Sequence, residues 1–233
     1  MSTQSDTKTL LETEKRSAAR AAVQLVQFGS VVGLGSGSTA TFAIQFLAER
    51  VRSGLKIVGI PTSQATKQLA EQLGIPLTTL DENPVIDIDI DGADEIDPQL
   101  NLIKGGGGAM LREKVIASAS KRFVVVAEST KLVSHLGKFP LPVEVISFAE
   151  ALVKRRIEAL GAQVTLRKQR DGGVYVTDEG HHILDCNFGE IADPAALNAK
   201  LHEIPGVVEH GLFIRLAETA FVGKDGNVVQ VKR

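Results

Sequence analysis

Three segments of the chain combine glycine with polar or charged side chains in patterns that suit the binding of an anion. The first is Gly33-Leu34-Gly35-Ser36-Gly37-Ser38-Thr39, which lies between a short apolar run and a helical pattern. Glycines permit a tight turn, and a helix N-terminus presents free backbone N–H groups with partial positive charge. The hydroxyls of Ser36, Ser38 and Thr39 add further donors. The segment therefore suits a phosphate, although Ser38 as an ordinary helix cap would explain the same residues.

Two common nucleotide-binding motifs do not fit this first segment. A dinucleotide fingerprint, G-x-G-x-x-G, would need glycine at position 38, where the chain has Ser38. The next apolar run also ends at Pro61 rather than at an acid for a ribose hydroxyl. A P-loop would need a Gly-Lys pair before Ser38, and none is present. Neither class of nucleotide site is therefore predicted.

The second segment, residues 87–97, carries six acids in eleven positions. It opens like a calcium loop, but the closing glutamate would fall at Pro98. Isoleucine at alternate positions from 86 to 90 is instead typical of a strand. Such a strand would bring Asp91 and Asp94 to its carboxyl end, where open α/β sheets bind ligands. The alternative is a solvated acidic turn, which the apolar lead-in disfavours.

The third segment is Lys104-Gly105-Gly106-Gly107-Gly108, followed by a helical pattern that begins near Ala109. Four successive glycines do not form a helix interior, so they predict a loop. Such a loop brings backbone N–H groups and Lys104 close to a ligand and can stabilise developing oxyanion charge. Glu113 lies early in the helix, tilts back toward this loop and suits a general base. An acid placed to suit the helix dipole explains Glu113 equally well.

The remaining polar residues give weaker indications. Lys131 follows a predicted strand and could meet an anion, although a surface lysine is the commoner explanation. No metal site is predicted, because the five histidines have no metal-ligand spacing and there is no CxxC motif. Cys186 lies in a predicted strand and is interpreted as a core thiol.

Alternating strands and helices must position these segments. Strands are predicted at 31–34, 56–60, 85–90 and 123–127, and helices at 10–28, 38–52, 63–73 and 109–120. This alternation predicts right-handed crossovers and a Rossmann-like, mostly parallel sheet in an α/β fold.

The pattern changes after the proline-containing segment 138–142. Strands are predicted at 143–146, 163–167, 174–177, 183–186 and 207–208, and helices at 148–160 and 194–202. They indicate a smaller α+β domain of split βαβ, ferredoxin-like type, inserted before the C-terminal strands. Strands at 212–216 and 228–231 are predicted to return to the first domain.

Composition excludes several classes of protein. The chain has 233 residues, of which 43% are hydrophobic and 23% charged, so it is not a disordered chain. A net charge of −2 and 4% aromatic residues argue against nucleic acid as a partner. No run approaches 18 apolar residues, and the polar first 15 residues resemble neither a signal nor a transit peptide. A single cysteine favours a reducing compartment, so a cytoplasmic protein with no membrane partner is expected.

Taken together, the order and spacing of the three segments resemble ribose-5-phosphate isomerase type A. The similarity continues at Lys138-Phe139-Pro140-Leu141-Pro142-Val143-Glu144 and Ile204-Pro205-Gly206-Val207-Val208, so it covers nearly the whole chain. One departure is Ser36, where members of that family often carry threonine. The hydroxyl is retained.

The resemblance implies interconversion of D-ribose 5-phosphate and D-ribulose 5-phosphate through an enediolate, without metal or organic cofactor, in the non-oxidative pentose phosphate pathway. Glu113 would be the base, Asp91 would assist ring opening, and Asp94 and Lys104 would hold the reacting hydroxyls and stabilise the enediolate. Lys15 is a further candidate contact for the phosphate. The substrate-binding positions implied are Ser36, Gly37, Ser38, Thr39, Asp91, Gly92, Ala93, Asp94, Lys104, Gly105, Gly106, Gly107 and Lys131.

The expected organisation is a catalytic domain, 1–137 and 212–233, and a small domain, 138–211, involved in forming a homodimer or homotetramer. One alternative function is a sugar-phosphate-binding sensor domain, which would keep the glycine loop but need no base. Such sensors normally carry a helix-turn-helix, for which this chain has no room. Amino-sugar phosphate deaminase-isomerases and coenzyme A transferases are nearer rivals. The absence of histidine from the three segments argues against the deaminase.

Overall fold

The computed structural model describes residues 4–233, with side chains from residue 7 onward, and these residues form six α-helices and thirteen strands. The helices are α1 (Gln4–Val23), α2 (Ser38–Arg52), α3 (Gln64–Gln72), α4 (Met110–Ala119), α5 (Glu150–Glu158) and α6 (Pro194–His202). The strands are β1 (Val31–Leu34), β2 (Val58–Pro61), β3 (Ile88–Asp91), β4 (Glu95–Ile96), β5 (Leu102–Ile103), β6 (Phe123–Glu128), β7 (Leu141–Val145), β8 (Gln163–Leu166), β9 (His182–Asn187), β10 (Val207–His210), β11 (Leu212–Phe213), β12 (Thr219–Lys224) and β13 (Asn227–Lys232). Short 3₁₀ turns lie at Ser129–Lys131 and Ser147–Ala149.

The chain divides into two compact units. Within the described residues, the first runs to Ala93 and also takes in Arg112–Lys131 and Arg215–Arg233. The second comprises Asp94–Leu111 and Leu132–Ile214. Segment 94–111 belongs with the second unit because β4 and β5 pair with each other and β5 pairs with β11.

The first unit is built on a six-stranded sheet in the order β13-β12-β6-β3-β1-β2. All neighbouring strands are parallel except β12 and β13. All six residues of β6 are buried, as expected for a strand covered on both faces. The predicted Rossmann-like parallel sheet is therefore confirmed, and the carboxyl ends of its parallel strands share one edge.

Helix α1 packs closely on this sheet because its inner face is made of alanine. Ala18, Ala19 and Ala22 are fully buried. A Cβ at Gly223 of β12 would overlap the backbone of Glu14, so glycine is needed where helix and strand approach.

The second unit contains a four-stranded antiparallel sheet in the order β10-β7-β9-β8. The chain order is β7, α5, β8, β9, α6 and β10, so the first and third strands of this set are central. This is the split βαβ arrangement predicted from the sequence. Val153 and Ile157 of α5 and Leu201 of α6 pack with the strands in one apolar cluster.

Two of the predicted strands were wrong, and three strands of the structure were not predicted. The predicted strand 212–216 is only the short β11, which pairs with β5 in a three-stranded sheet of the second unit. The strand that joins the main sheet is β12, which was not predicted. Residues 174–177 form isolated bridges rather than a strand, and segment 92–108 contains β4 and β5. Elements of two residues, or strands defined only by distant partners, leave little periodic pattern in a sequence.

None of the helices described within residues 4–233 has the length and hydropathy of a membrane span.

Candidate active site

Asp91 ends β3 at the carboxyl edge of the first unit's sheet. Its Oδ1 accepts the backbone N–H of Ser36 at 2.9 Å and that of Gly92 at 2.6 Å, and the side chain is fully buried. Gly35 is needed here, because a Cβ would overlap the Asp91 carboxylate. The structure therefore brings together two of the three predicted segments.

A cluster of hydroxyls holds the loop after β1 in place. Oγ of Ser36 lies 2.8 Å from Oγ1 of Thr62 and 2.8 Å from Oγ of Ser63. Thr62 donates to the carbonyl of Leu34 at 2.9 Å, and Thr66 donates to that of Gly35 at 3.0 Å. The Ser36 hydroxyl is thus tied into the edge of the sheet. Thr62, Ser63 and Thr66 were not predicted from the sequence, although the Thr-Ser pair directly follows β2 at the same edge.

The N-terminus of α2 presents its first N–H groups next to a lysine. Gly37 occupies the N-cap position with φ of +91°, and no described side chain caps this turn. Ser38 is therefore the first helical residue and not the N-cap, so the alternative interpretation of Ser38 is wrong. Lys15 Nζ donates to Ser38 Oγ at 3.1 Å, and Thr39 is 7% exposed. An open helix N-terminus beside a cation is a favourable site for an anion.

Glu113 lies in the first turn of α4 and is 5% exposed. Ile116, one turn later on the same face, meets the position of Gly33 in β1, where a Cβ would lie 2.7 Å from Ile116 Cγ2. Because the helix runs antiparallel to the strands, Glu113 lies nearer than Ile116 to the edge at which Asp91 ends β3. Its predicted orientation toward the glycine loop stays a prediction.

Lys131 ends the 3₁₀ turn after β6, where its Nζ lies 3.9 Å from Oε1 of Glu128. Glu14 holds this turn: its Oε2 accepts the N–H of Ser129 at 3.0 Å and the hydroxyl at 2.7 Å. Its Oε1 accepts the N–H of Asp225 at 3.2 Å. Burial alone would raise the pKa of Glu14, but these hydrogen bonds lower it below its ordinary value. Glu14, which was not predicted from the sequence to have a role, ties the helix that carries Lys15 to the turn that carries Lys131.

In the second unit, Asp94 holds the glycine-rich loop. Its Oδ2 accepts the N–H of Gly106 at 2.8 Å, and its own N–H donates to the carbonyl of Ile103 at 2.8 Å. A Cβ at Gly106 would lie 2.7 Å from Oδ1 of Asp94, so glycine permits this close approach. The structure therefore brings together Asp94 and the loop that follows Lys104.

Lys104 is 3% exposed at the start of this loop. Its N–H donates to the carbonyl of Gly211 at 2.9 Å, and its Nζ lies 5.5 Å from the ring centroid of Phe213. A cation over an aromatic face is stabilised by the negative charge of the ring face.

The comparisons with known proteins agree with one another. Residues 58–227 match the family model described as ribose 5-phosphate isomerase A (phosphoriboisomerase A). The chain belongs to the ribose-5-phosphate isomerase A family.

Relatives within the family match over almost their full length. The ribose-5-phosphate isomerase A of Nitrobacter hamburgensis is 52% identical over 229 residues, which cover 96% of this chain and 99% of the relative. That of Roseiflexus sp. is 55% identical over 218 residues, or 92% of this chain and 94% of the relative.

Solved structures of the family share the fold. The ribose 5-phosphate isomerase A of Methanocaldococcus jannaschii superposes with a TM-score of 0.90 at 43% identity, covering 94% of this chain and 98% of that one. A D-ribose-5-phosphate isomerase in complex with phospho-erythronic acid superposes with a TM-score of 0.94 at 39% identity, covering 96% and 99%.

One cluster in the second unit of this isomerase-family chain has the composition of a metal site. Ligand atoms of His202, Glu209 and His210 lie within 4.8 Å of one another. The N–H of Leu212, however, donates to Nδ1 of His210 at 3.3 Å. A ring whose Nδ1 accepts a hydrogen bond carries its proton on Nε2, the atom that would have to face an ion. We therefore interpret the cluster as a hydrogen-bonded group.

Proposed function

We propose that this chain interconverts D-ribose 5-phosphate and D-ribulose 5-phosphate. Membership of the ribose-5-phosphate isomerase A family supports this substrate pair. The observation that carries it is the link between Asp91 and Ser36, which holds a buried carboxylate beside a loop that leads into an open helix N-terminus. An acid–base group and an anion site are the two elements that isomerisation of a sugar phosphate requires.

The chemistry moves one carbon-bound proton. A base removes the proton from C2 of the open-chain aldose, an enediolate forms, and the proton returns to C1 while a hydroxyl proton moves from O2 to O1. We assign the transfer of the carbon-bound proton to Glu113, whose burial in the first turn of α4 keeps water away from its carboxylate. Asp91 assists ring opening and proton movement at the sugar oxygens.

The enediolate carries negative charge on its oxygens and needs donors. We assign this role to Lys104 and to the loop of Gly105, Gly106 and Gly107, in which the amide of Gly106 acts through its hydrogen bond to Asp94. Asp94 is also assigned to bind the reacting hydroxyls. The buried Lys104 supports this role, because a cation in a site with little water acts strongly on nearby charge.

The phosphate is assigned to the loop Ser36–Thr39 and the lysines beside it. The first N–H groups of α2 and the contact between Lys15 and Ser38 support this position. Lys131 supplies a second cation on the same unit. Gly92 and Ala93 line the turn between Asp91 and Asp94 and are assigned to the sugar.

The decisive experiment is ketose formation from ribose 5-phosphate by the purified chain in the presence of EDTA. Turnover under these conditions is expected, because every group assigned above is a side chain or an amide of the chain itself. Tight binding of the sugar phosphate with no turnover would favour the sensor function. Activity abolished by EDTA and restored by a metal would contradict the metal-free mechanism.

We also propose a cytoplasmic location and a homodimer or homotetramer in which the small domain, 138–211, contributes contacts between subunits. A single cysteine, which cannot form an internal disulfide, supports a reducing compartment. Burial, and to a smaller extent Asp185, raises the pKa of the Cys186 thiol and makes it unreactive. Light scattering on the purified chain tests the assembly, and a monomeric mass would reject it.

A further inference from the structure

Three consecutive carbonyl groups of the glycine-rich loop accept hydrogen bonds from side chains far away in the sequence. Arg167 Nη1 donates to the carbonyl of Gly105 at 2.8 Å and to that of Gly106 at 3.2 Å. The hydroxyl of Tyr175 donates to the carbonyl of Gly107 at 3.1 Å. All these residues lie within the second unit. Neither Arg167 nor Tyr175 was predicted from the sequence to belong to the site.

These contacts determine where the amides of the loop point. In a trans peptide the C=O of one residue and the N–H of the next lie in one plane and point in opposite directions, and no described peptide bond is cis. A carbonyl turned toward Arg167 therefore turns the following N–H away from it. The peptide between Gly105 and Gly106 shows this directly, because its carbonyl meets Arg167 and its N–H meets Asp94.

The same reasoning applies to the next peptide, in which the carbonyl of Gly106 faces Arg167 and the N–H of Gly107 faces the opposite way. Gly107 is exposed, so its amide, which is directed away from Arg167, is accessible to a ligand. A cation on the carbonyl also polarises the peptide and strengthens its N–H as a donor.

Arg167 is itself held in one orientation. Its Nε donates to Oδ2 of Asp185 at 3.0 Å, and its Nη2 pairs with Oδ1 of the same carboxylate. The guanidinium lies 5.8 Å from the ring centroid of Tyr175 and is largely buried. A planar guanidinium can serve a carboxylate and two carbonyls together, which a lysine ammonium cannot do with the same geometry.

We propose that Arg167 is a positioning residue for the isomerase reaction. Held by Asp185, it directs the amide of Gly106 toward Asp94 and the amide of Gly107 toward the enediolate. Tyr175 secures the next peptide of the loop. This inference rests on the proposed function of the loop. It assigns Arg167 no contact with the substrate.

Arg167→Lys and Arg167→Ala test the proposal. Misdirected donors weaken binding of the transition state more than binding of the substrate. We therefore expect kcat to fall by about tenfold in the lysine variant and by about a hundredfold in the alanine variant. KM should stay within about threefold of its original value, since the phosphate contacts are unchanged.

Guanidinium ion added to folded Arg167→Ala should restore part of the lost kcat. Phospho-erythronic acid, whose carboxylate resembles an enediolate, should inhibit Arg167→Lys about tenfold less strongly.

Arg170→Ala is the matched control, because it removes an exposed arginine from the same segment and should leave kcat unchanged. The proposal is overturned if both Arg167 variants keep kcat within about twofold of the value of the unaltered chain, because surface substitutions commonly have effects of that size. It is equally overturned if the loss of kcat in Arg167→Lys follows a loss of folded protein or comes with a parallel rise in KM. If the unaltered chain forms no ketose at all, the proposed function fails instead. An active chain with unaffected Arg167 variants rejects this inference alone.

Discussion

The carboxylate of Asp91 accepts the backbone N–H of Ser36 at 2.9 Å, which joins the ends of two neighbouring parallel strands, β3 and β1. One side chain thus has a structural role in the loop and a proposed chemical role toward the sugar. Asp91→Asn separates the two, because asparagine keeps an oxygen for the N–H of Ser36 and loses the charge. We expect a folded protein with kcat lower by roughly a hundredfold, measured by ketose formation and thermal unfolding. An active Asp91→Asn would leave Asp91 with the structural role only.

Glu113→Gln should abolish most of the turnover without disturbing the fold. Glutamine preserves the shape of the side chain in the first turn of α4 but cannot take a proton from carbon. A general base contributes about 10²- to 10⁴-fold to the rate, and kcat should fall by that factor while substrate still binds. Glu71→Gln, an exposed acid on α3, is the control. A kcat close to the original in Glu113→Gln would remove Glu113 from the mechanism.

Lys15→Ala and Thr39→Ala should weaken binding of the phosphate. Loss of a hydrogen bond to a charged group corresponds to about a ten- to hundredfold rise in KM for ribose 5-phosphate. Any slow turnover of unphosphorylated ribose should not change, since it lacks the group that these residues bind. Lys8→Ala alters an exposed lysine of the same helix and serves as control. If KM for the phosphorylated sugar stays constant in both variants, the phosphate binds elsewhere.

Protonation of Glu14 should make the first unit less stable in acid. Since its pKa in the folded state is lowered from the ordinary 4.5, its stabilisation is complete above that value and is lost as pH falls through the folded pKa. Glu14→Gln should lower the free energy of unfolding at pH 7 by about 1–3 kcal/mol and flatten the dependence of Tm on pH below 5. Unfolding curves from pH 3 to 7 measure both effects. Glu12→Gln, exposed two residues earlier, should match the original chain.

Elements with strong local patterns could be predicted residue by residue. Helices 38–52 and 194–202 and strand 31–34 have the predicted bounds. Their apolar spacing, or a start signal such as Asp193 before Pro194, lies within the element itself. Strand β12 was missed because its place in the sheet depends on pairing with β6, almost a hundred residues earlier in the chain.

The same distinction applies to the candidate site. Segments such as 35–39 and 104–108 are recognisable because glycine must recur where the backbone turns tightly or approaches a side chain. Arg167 and Glu14 were not recognisable, since each acts on backbone groups more than sixty residues away. Nothing in the residues around an isolated arginine or glutamate identifies such a distant partner.

The position of β12 has a consequence for biosynthesis. This strand lies between β6 and β13 in the first sheet, although it is formed by residues 219–224. While the chain emerges from the ribosome, one edge of β6 therefore stays unpaired until these residues have been synthesised. An unpaired strand edge promotes association with other chains, so nascent forms of this protein should depend on chaperones during translation. Deleting residues after 218 would make that exposure permanent.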